Sequence, residues 1–190
     1  MEQNNFKEDL ITHLFHHHPI NLEEQKYLIE ILKFVNAADT LYAGKNSPAH
    51  VAARAFILNK GLTKCLLCNK KHLEDGVQPG GHIEQEDKTL LDTALREARE
   101  ETGLQNFTPY NEKVFTVCID KKKALTRYDV WYLLICEEDK KPAGQVDNNT
   151  KWFSMQELKN LIKEQKINTG LRLAALHWEN TLKERAKNAK

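Results

Sequence analysis

The 190-residue chain reads as an α/β layered domain, a mixed sheet with helices packed against it, preceded by a helical extension. Three observations predict this. Apolar residues recur at helical spacing as far as about residue 35, and from His50 the period changes to alternation. Three later segments, 112–120, 127–137 and 150–155, are rich in β-branched and aromatic residues. Helical stripes and caps lie between and after these segments, over about 88–102, near Met155 and from Thr169. A chain of this length buries one full core rather than two, so strands and helices must share it.

Taken in order, Phe6, Leu10, Ile11, Leu14 and Phe15 form the stripe of a first helix over 6–18. "NLEE" is a capping box, with Asn21 as cap and Glu24 reaching back. It opens a second helix through about Val35, with Leu28, Ile31, Leu32 and Val35 on one side. The turn-rich "AGKNSPA" links this extension, residues 1–46, to a main domain of residues 47–190. In "HVAARAFIL", Val51, Ala53, Ala55 and Ile57 alternate with His50, Ala52, Arg54 and Phe56, a strand. "NKGLTK" is the hairpin turn into a second strand, "KCLLCNK", and a polar loop, "KHLEDGVQPGGHIEQED", leads into the helix of about 88–102. "KKKALTR" joins "EKVFTVCID" to "RYDVWYLLICE" as a hairpin whose lysines face solvent. "TKWFSM" is the last strand; a short helix follows near Met155, and a long one from Thr169 to the basic tail.

Lys plus Arg is 28 and Asp plus Glu is 27, so no net field draws the protein to a nucleic acid polymer or an acidic membrane. "MEQNNFKEDL" carries no apolar run, so no secretory signal is expected, and nothing approaches a membrane-spanning length. Four cysteines do not make a disulfide framework, and the reducing cytoplasm is the expected location. Cys65 and Cys68 are three residues apart in a β-like run, which puts their thiols on opposite faces, so they read as buried structural residues. His13, His16, His17 and His18 have no cysteine or acid at ligand spacing, and Pro19 ends their segment. They are expected to form a solvated helix end.

The segment "REAREETG", Arg96 to Gly103, carries the chemistry. At about 100° per residue, Leu91, Ala94, Leu95 and Ala98 make a core face, and Glu97, Glu100 and Glu101 fall in a narrow adjoining arc. Gly103 supplies the left-handed residue that ends the helix, and Leu104 its closing contact. Three acids spaced by three and four repel one another, and near a helix C-terminus each costs about 0.3–1 kcal/mol more. On the helix alone two readings stand: a cluster for a hard divalent cation such as Mg²⁺ or Mn²⁺, or a solvated acidic face balanced by Arg96 and Arg99. The preceding "QPGGHIE" favours the cation, because consecutive glycines let backbone approach a ligand.

These residues resemble the signature of the Nudix hydrolases: Gly, five residues, Glu, seven residues, then Arg-Glu-apolar-any-Glu-Glu-any-Gly-apolar. Arg96, Glu97, Ala98, Glu100, Glu101, Gly103 and Leu104 match the second half in full. In the first half, Gly81 and five residues lead to Asp87, and eight residues separate Asp87 from Arg96. This reads as a one-residue insertion at the loop-to-helix junction, with Asp87 or Glu86 in place of the first Glu. "HVAARAFIL", "KCLLCNKKHLEDGVQPGGHIE" and "TKWFSMQEL" look like the frame of the site in a branch marked by Gly-Gly-His, over roughly residues 48–165.

The resemblance implies a Nudix-type α/β/α sandwich with a mixed sheet, an N-terminal helical extension and a C-terminal helix. It also implies Mg²⁺-dependent cleavage of a pyrophosphate bond, in a nucleoside diphosphate-linked small molecule or a nucleoside triphosphate. By the same resemblance Glu97, Glu100 and Glu101 bind Mg²⁺ or Mn²⁺, and a carbonyl of Gly80 or Gly81 is a further ligand. Arg96 then holds a glutamate in place and joins Glu97 and Glu100 as a catalytic residue. The general base is Glu97 or a downstream acid, Glu137, Glu138 or Asp147. The partner is a small-molecule nucleotide, and the assembly a monomer or homodimer. A catalytically weak Nudix-fold nucleotide sensor is the second reading.

Arg54 stands mid-strand among Ala52, Phe56 and Leu58, where an unpaired buried charge is costly. It either pairs with an acid such as Asp129 or faces the cleft beside Gly80 and Gly81 and meets substrate phosphate. Trp131, Tyr132, Trp152 and Phe153 are candidates for stacking on a base but read as core. The marks of ADP-ribose- and NADH-cleaving members are not present, so the substrate is left open.

Overall fold

The protein is described by a computed structural model over residues 2–44, 47–68, 77–122, 124–137, 150–164 and 167–188. Side chains are described from residue 5 onward. Glu138 and Asp147, two of the proposed bases, lie outside the described residues. Helices α1 (Glu2–Phe15) and α2 (Leu22–Ala37) precede strands β1 (Ala49–Asn59), β2 (Lys64–Cys68) and β3 (Gly80–His82). Then come α3 (Leu90–Thr102), β4 (Phe107–Lys122), β5 (Leu125–Cys136), β6 (Thr150–Ser154), α4 (Met155–Lys163) and α5 (Thr169–Asn188). No helix among the described residues is long and apolar enough to cross a membrane.

The sheet order is β4-β5-β1-β2-β6, with β3 paired to β1. Strand β1 lies parallel to β5 along its whole length, Ala49 opposite Thr126 through Asn59 opposite Cys136. Its other side is shared: β3 pairs with Ala52, Ala53 and Arg54, and β2 with Ile57 and Leu58. This central position buries β1 on both faces, which is why both of its alternating sets are largely apolar. Val51, Ala53, Ala55 and Ile57 pack with Val130, Tyr132 and Leu134 against α1, α2 and α3. Phe56 and Leu58 pack with Trp131 and Leu133 against Leu158 of α4 and Leu171, Ala174 and Trp178 of α5. The result is the expected α/β/α sandwich.

The extension shares the first of these cores rather than standing apart. Leu10, Leu14, Ile31 and Val35 are at most 1% exposed, and each such side chain contributes roughly 1.5–3 kcal/mol by leaving water. On the opposite face a Cβ at Gly170 would come 2.7 Å from Cys118 Sγ and collide with the Trp131 ring. The start of α5 therefore needs a residue without a side chain. Trp131 and Tyr132 are core, as expected, and Trp152 and Phe153 are half-buried against the two clusters.

One expectation fails at the joint between extension and sheet. His13, His16 and His18 are not buried, but His17 is. Its Nδ1 lies 3.1 Å from the Val114 carbonyl oxygen and its Nε2 lies 3.0 Å from Glu24 Oε1. The acid comes from seven residues on, across the turn at Pro19, and a second histidine, His177 of α5, lies 2.8 Å from Glu24 Oε2. Glu24 also does not close the capping box. Asn21 accepts the Glu24 N–H as a cap should, whereas the Glu24 carboxylate takes the Ile20 N–H at 2.7 Å and the Val117 N–H of β4 at 3.1 Å. Strand β4 is an edge with register irregularities around Val114, and His17 and Glu24 meet backbone groups that no neighbouring strand pairs. Burial opposes charge on Glu24, but hydrogen bonds with His17, His177 and Thr116 hold its carboxyl far below the usual carboxylate range.

Candidate active site

Helix α3 starts two residues later than its pattern suggests, because Thr89 and Asp92 form a capping box at its N-terminus. Leu90, Thr93, Ala94, Ala98 and Thr102 are its buried positions; Leu91 and Leu95 are half-buried beside them. Gly103 ends it in the left-handed conformation, φ 72°, its N–H donating to the Arg99 carbonyl, and Leu104 is buried behind it. Rotation and length are fixed, so Glu97, Glu100 and Glu101 leave the helix at adjoining positions, but among the described residues their carboxylates are not drawn within 4.8 Å of one another as a set of three.

Arg96 organises the acids. Its Nε donates to Asp87 Oδ1 at 3.2 Å and its Nη2 to Asp87 Oδ2 at 2.9 Å, a two-point pair. Its Nη1 donates to Glu97 Oε1 at 2.9 Å and Glu100 Oε2 at 3.4 Å, and Nη2 also reaches the His82 carbonyl at 2.9 Å. Asp87, not Glu86, takes the place of the first Glu of the signature. Its short side chain also accepts from the Glu84 N–H and from Thr93 Oγ1, each at 2.9 Å. Asp87 thus ties the loop to the helix.

Burial opposes the charge of Asp87, yet hydrogen bonds from Arg96, the Glu84 N–H and Thr93 hold its carboxyl below the usual range. A depressed folded-state pKa gives stability that is full above the unfolded value near pH 4 and is lost as pH falls through the folded value. Asp87→Asn is expected to cost about 1–3 kcal/mol at neutral pH and to flatten the decline in thermal midpoint below pH 4. Thermal unfolding from pH 7 to 3 checks both.

Strand β3 brings the glycine pair against these acids. A Cβ on Gly80 would collide with the Ala53 carbonyl oxygen and come 2.9 Å from Arg54 Cα, because β3 lies directly on β1. A Cβ on Gly81 would collide with the carboxylate of Glu97, lying 2.7 Å from its Oε2. Glycine at 81 therefore makes room for the Glu97 carboxylate against the backbone. One guanidinium touches Asp87, Glu97 and Glu100, and these side chains present only oxygen donors. That donor chemistry fits a hard divalent cation.

Arg54 pairs with Asp129: its Nε is 3.4 Å from Oδ1. Its Nη1 donates to the Gly80 carbonyl at 3.2 Å and to that of Gln78 at 3.4 Å. Nη2 makes no hydrogen bond among the described residues. Sequence reasoning missed the rest of this polar patch. Arg127 Nε donates to Asp129 Oδ1 at 2.7 Å, and Arg127 Nη2 to Asp129 Oδ2 at 3.1 Å and to Asp120 Oδ2 at 2.9 Å. His50 is buried, with its ring 4.6 Å from that of His82 and its Nε2 unpartnered. Burial first, then the nearby His82 and Arg127, push the His50 pKa below its ordinary value. Parallel register places His50, Arg127, Ala52, Asp129 and Arg54 on one sheet face, and the Arg127–Asp129 step of two was the available signal.

Other candidates fall elsewhere. Glu137 meets Lys60 Nζ at 3.0 Å. All four cysteines are buried thiols, none in a disulfide, and burial pushes the Cys65 thiol up to about 12. A groove of about 1250 Å³ runs between α1 and the loop Gln85–Thr89, and its lining includes none of the three glutamates.

Residues 48–172 match the profile of the NUDIX domain. No curated protein matches the chain by sequence. Among solved structures, a NUDIX-family hydrolase from Clostridium perfringens is similar at 24% identity and TM-score 0.50, over 70% of this chain and 97% of its own. A binary complex of the C. elegans Ap4A hydrolase is similar at 20% identity and TM-score 0.56, over 70% of this chain and 98% of its own. At these identities the structures speak for the fold. The profile spans most of the chain, and its range contains the box helix, the glycine pair and the sheet that carries them. The chain therefore belongs to the Nudix family, an enzyme of its pyrophosphohydrolase class.

Proposed function

We propose that the protein hydrolyses a pyrophosphate bond in a nucleotide-derived small molecule, a nucleoside diphosphate linked to another group or a nucleoside triphosphate, with Mg²⁺ or Mn²⁺. The observation that carries the reading is the shared grip of Arg96 on Asp87, Glu97 and Glu100 beside a glycine that admits the Glu97 carboxylate. In this reading Glu97, Glu100 and Glu101 hold the ion, with a carbonyl of Gly80 or Gly81 as a further ligand. The bound ion supplies Lewis acidity towards water and charge neutralisation at the phosphate oxygens.

The chain's own residues do the rest. Arg96 fixes the rotamer of Glu97, and Glu97 takes the proton of the attacking water as the P–O anhydride bond breaks. Nη2 of Arg54 meets a phosphate oxygen, while Asp129 and the Gly80 carbonyl hold the guanidinium in place. Residues 47–190 form the catalytic domain of the branch marked by Gly80, Gly81 and His82, and residues 1–46 an extension on it. The four buried thiols suit the cytoplasm.

A hydrolysis screen with Mg²⁺ or Mn²⁺, its nucleotide products separated by chromatography, tests the reading over nucleoside triphosphates, nucleotide sugars and dinucleoside polyphosphates; the last class is included because the C. elegans neighbour is an Ap4A hydrolase. Turnover that disappears in Glu100→Gln is expected. Nucleotide binding without metal-dependent turnover across the panel points instead to the sensor reading.

A further inference from the structure

The joint between extension, sheet and last helix holds a second constellation, chemically unlike the box. Glu24 is fully buried, His17 nearly so, and His177 half-buried. One ring nitrogen of His17, one of His177 and a Glu24 carboxylate oxygen all lie within 4.8 Å of one another. They come from the α1–α2 turn, from α2 and from α5, so only the folded chain brings them together. None of them belongs to the hydrolytic machinery.

Nδ1 of His17 faces the Val114 carbonyl at 3.1 Å, and a carbonyl can only accept, so Nδ1 carries the proton. A neutral ring then turns the lone pair of Nε2 towards the Glu24 carboxylate, 3.0 Å away. Lone pair against carboxylate is repulsive, and a positive centre must resolve it. A second ring proton is one such centre, a metal ion the other. An Nδ1–H bonded to a backbone carbonyl is also the arrangement that orients a histidine whose Nε2 binds metal. His177 presents a second imidazole nitrogen to the other oxygen of the same carboxylate, at 2.8 Å. The remaining partners of Glu24, the Ile20 and Val117 N–H groups and Thr116 Oγ1, already fix its orientation.

We propose that His17, Glu24 and His177 bind one zinc ion that locks the N-terminal helices and α5 onto the edge of strand β4. Two imidazoles and one carboxylate are a zinc donor set, with metal–ligand distances of about 2.0–2.2 Å and a fourth position for water. Tetrahedral geometry at those distances separates ligand atoms by roughly 3.4 Å, so the imidazole–carboxylate contacts of 3.0 and 2.8 Å open slightly while the wider separations, none above 4.8 Å, close by side-chain motion. His177 keeps 14% of its side-chain surface exposed, which gives the ion its way in. Imidazole donors favour Zn²⁺ and its transition-metal neighbours, whereas Mg²⁺ demands oxygen. The two metal sites therefore do not compete under excess magnesium. Zinc here is structural: Val114, Thr116 and Val117 carry its hold on to β4.

The test uses full-length protein stripped with a chelator and returned to buffer with excess Mg²⁺, and it needs no enzymatic readout. Titrated Co²⁺ is expected to develop visible absorption bands of a tetrahedral site that saturate at one equivalent and are displaced by Zn²⁺. Zinc alone is expected to raise the thermal midpoint by roughly 5 °C or more. His177→Gln, at a half-buried position that keeps its fold, abolishes both effects, and Glu100→Gln keeps both. A wild-type chain that shows neither bands nor a zinc-dependent midpoint overturns the proposal and leaves a proton-only clamp. Bands that persist unchanged in both His177→Gln and His17→Gln overturn it too. Failure of the hydrolase reading leaves this result untouched.

Discussion

Replacing Glu97 by glutamine is expected to lower kcat/KM by roughly 10³-fold, corresponding to about 4 kcal/mol of transition-state stabilisation. The side chain combines three roles. It accepts from Arg96 Nη1 at 2.9 Å, it lies on the Cα of Gly81, and it belongs to the arc shared with Glu100 and Glu101. Glutamine keeps the size and removes the charge and the proton acceptor, so the fold survives while the chemistry is lost. Steady-state rates with saturating Mg²⁺, alongside circular dichroism, separate the two. Gly81→Ala should reproduce much of this loss without changing any charge, because its methyl group displaces the same carboxylate. A variant at 97 with near wild-type kcat would place the proton acceptor and the metal elsewhere.

Glu24→Ala is expected to destabilise the protein by about 3–5 kcal/mol, with or without a bound ion. Breaking a buried charge cluster by removing one member leaves the others desolvated and unpaired. Here the orphans are His17, His177, Thr116 Oγ1 and the Ile20 and Val117 N–H groups. For a domain of this size the thermal midpoint should fall by roughly 6–20 °C. Hydrolytic activity measured below the new midpoint should change little, since among the described residues no hydrogen bond joins these groups to Glu97. Urea unfolding of both proteins gives the difference directly, and a cost under 1 kcal/mol would mean that the clamp carries no strain when broken.

The parts legible in the sequence were those with local causes. The helix of the box is set by its own 3.6-residue period, and its end by Gly103. Strand β1 is visible in the alternation of Val51, Ala53, Ala55 and Ile57, although burial on its second face appears only once α4 and α5 pack on Phe56 and Leu58. The role of Asp87 was readable to within one residue because Arg96 needs a partner at a distance set by the box. What was not readable depends on elements far apart in the chain. Glu24 looks like a helix cap, and from the sequence nothing joins it to His177, 153 residues away. The same separation hides His17: a histidine in "HHHP" becomes buried only because irregular β4 offers the Val114 carbonyl to it. Arg54 was framed as a choice between an ion pair and a cleft residue. Its Nε pairs with Asp129, and only the geometry reveals that Nη2 makes no hydrogen bond among the described residues.

The most direct check on the proposed hydrolase is Mn²⁺ binding followed by electron paramagnetic resonance, with zinc added first to fill any imidazole site. The account predicts that wild-type protein quenches the free Mn²⁺ signal, that Mg²⁺ restores it, and that Glu97→Gln or Glu100→Gln weakens binding at least tenfold. Equal Mn²⁺ affinity in wild type and both variants, or no binding even with a non-hydrolysable nucleotide present, contradicts it.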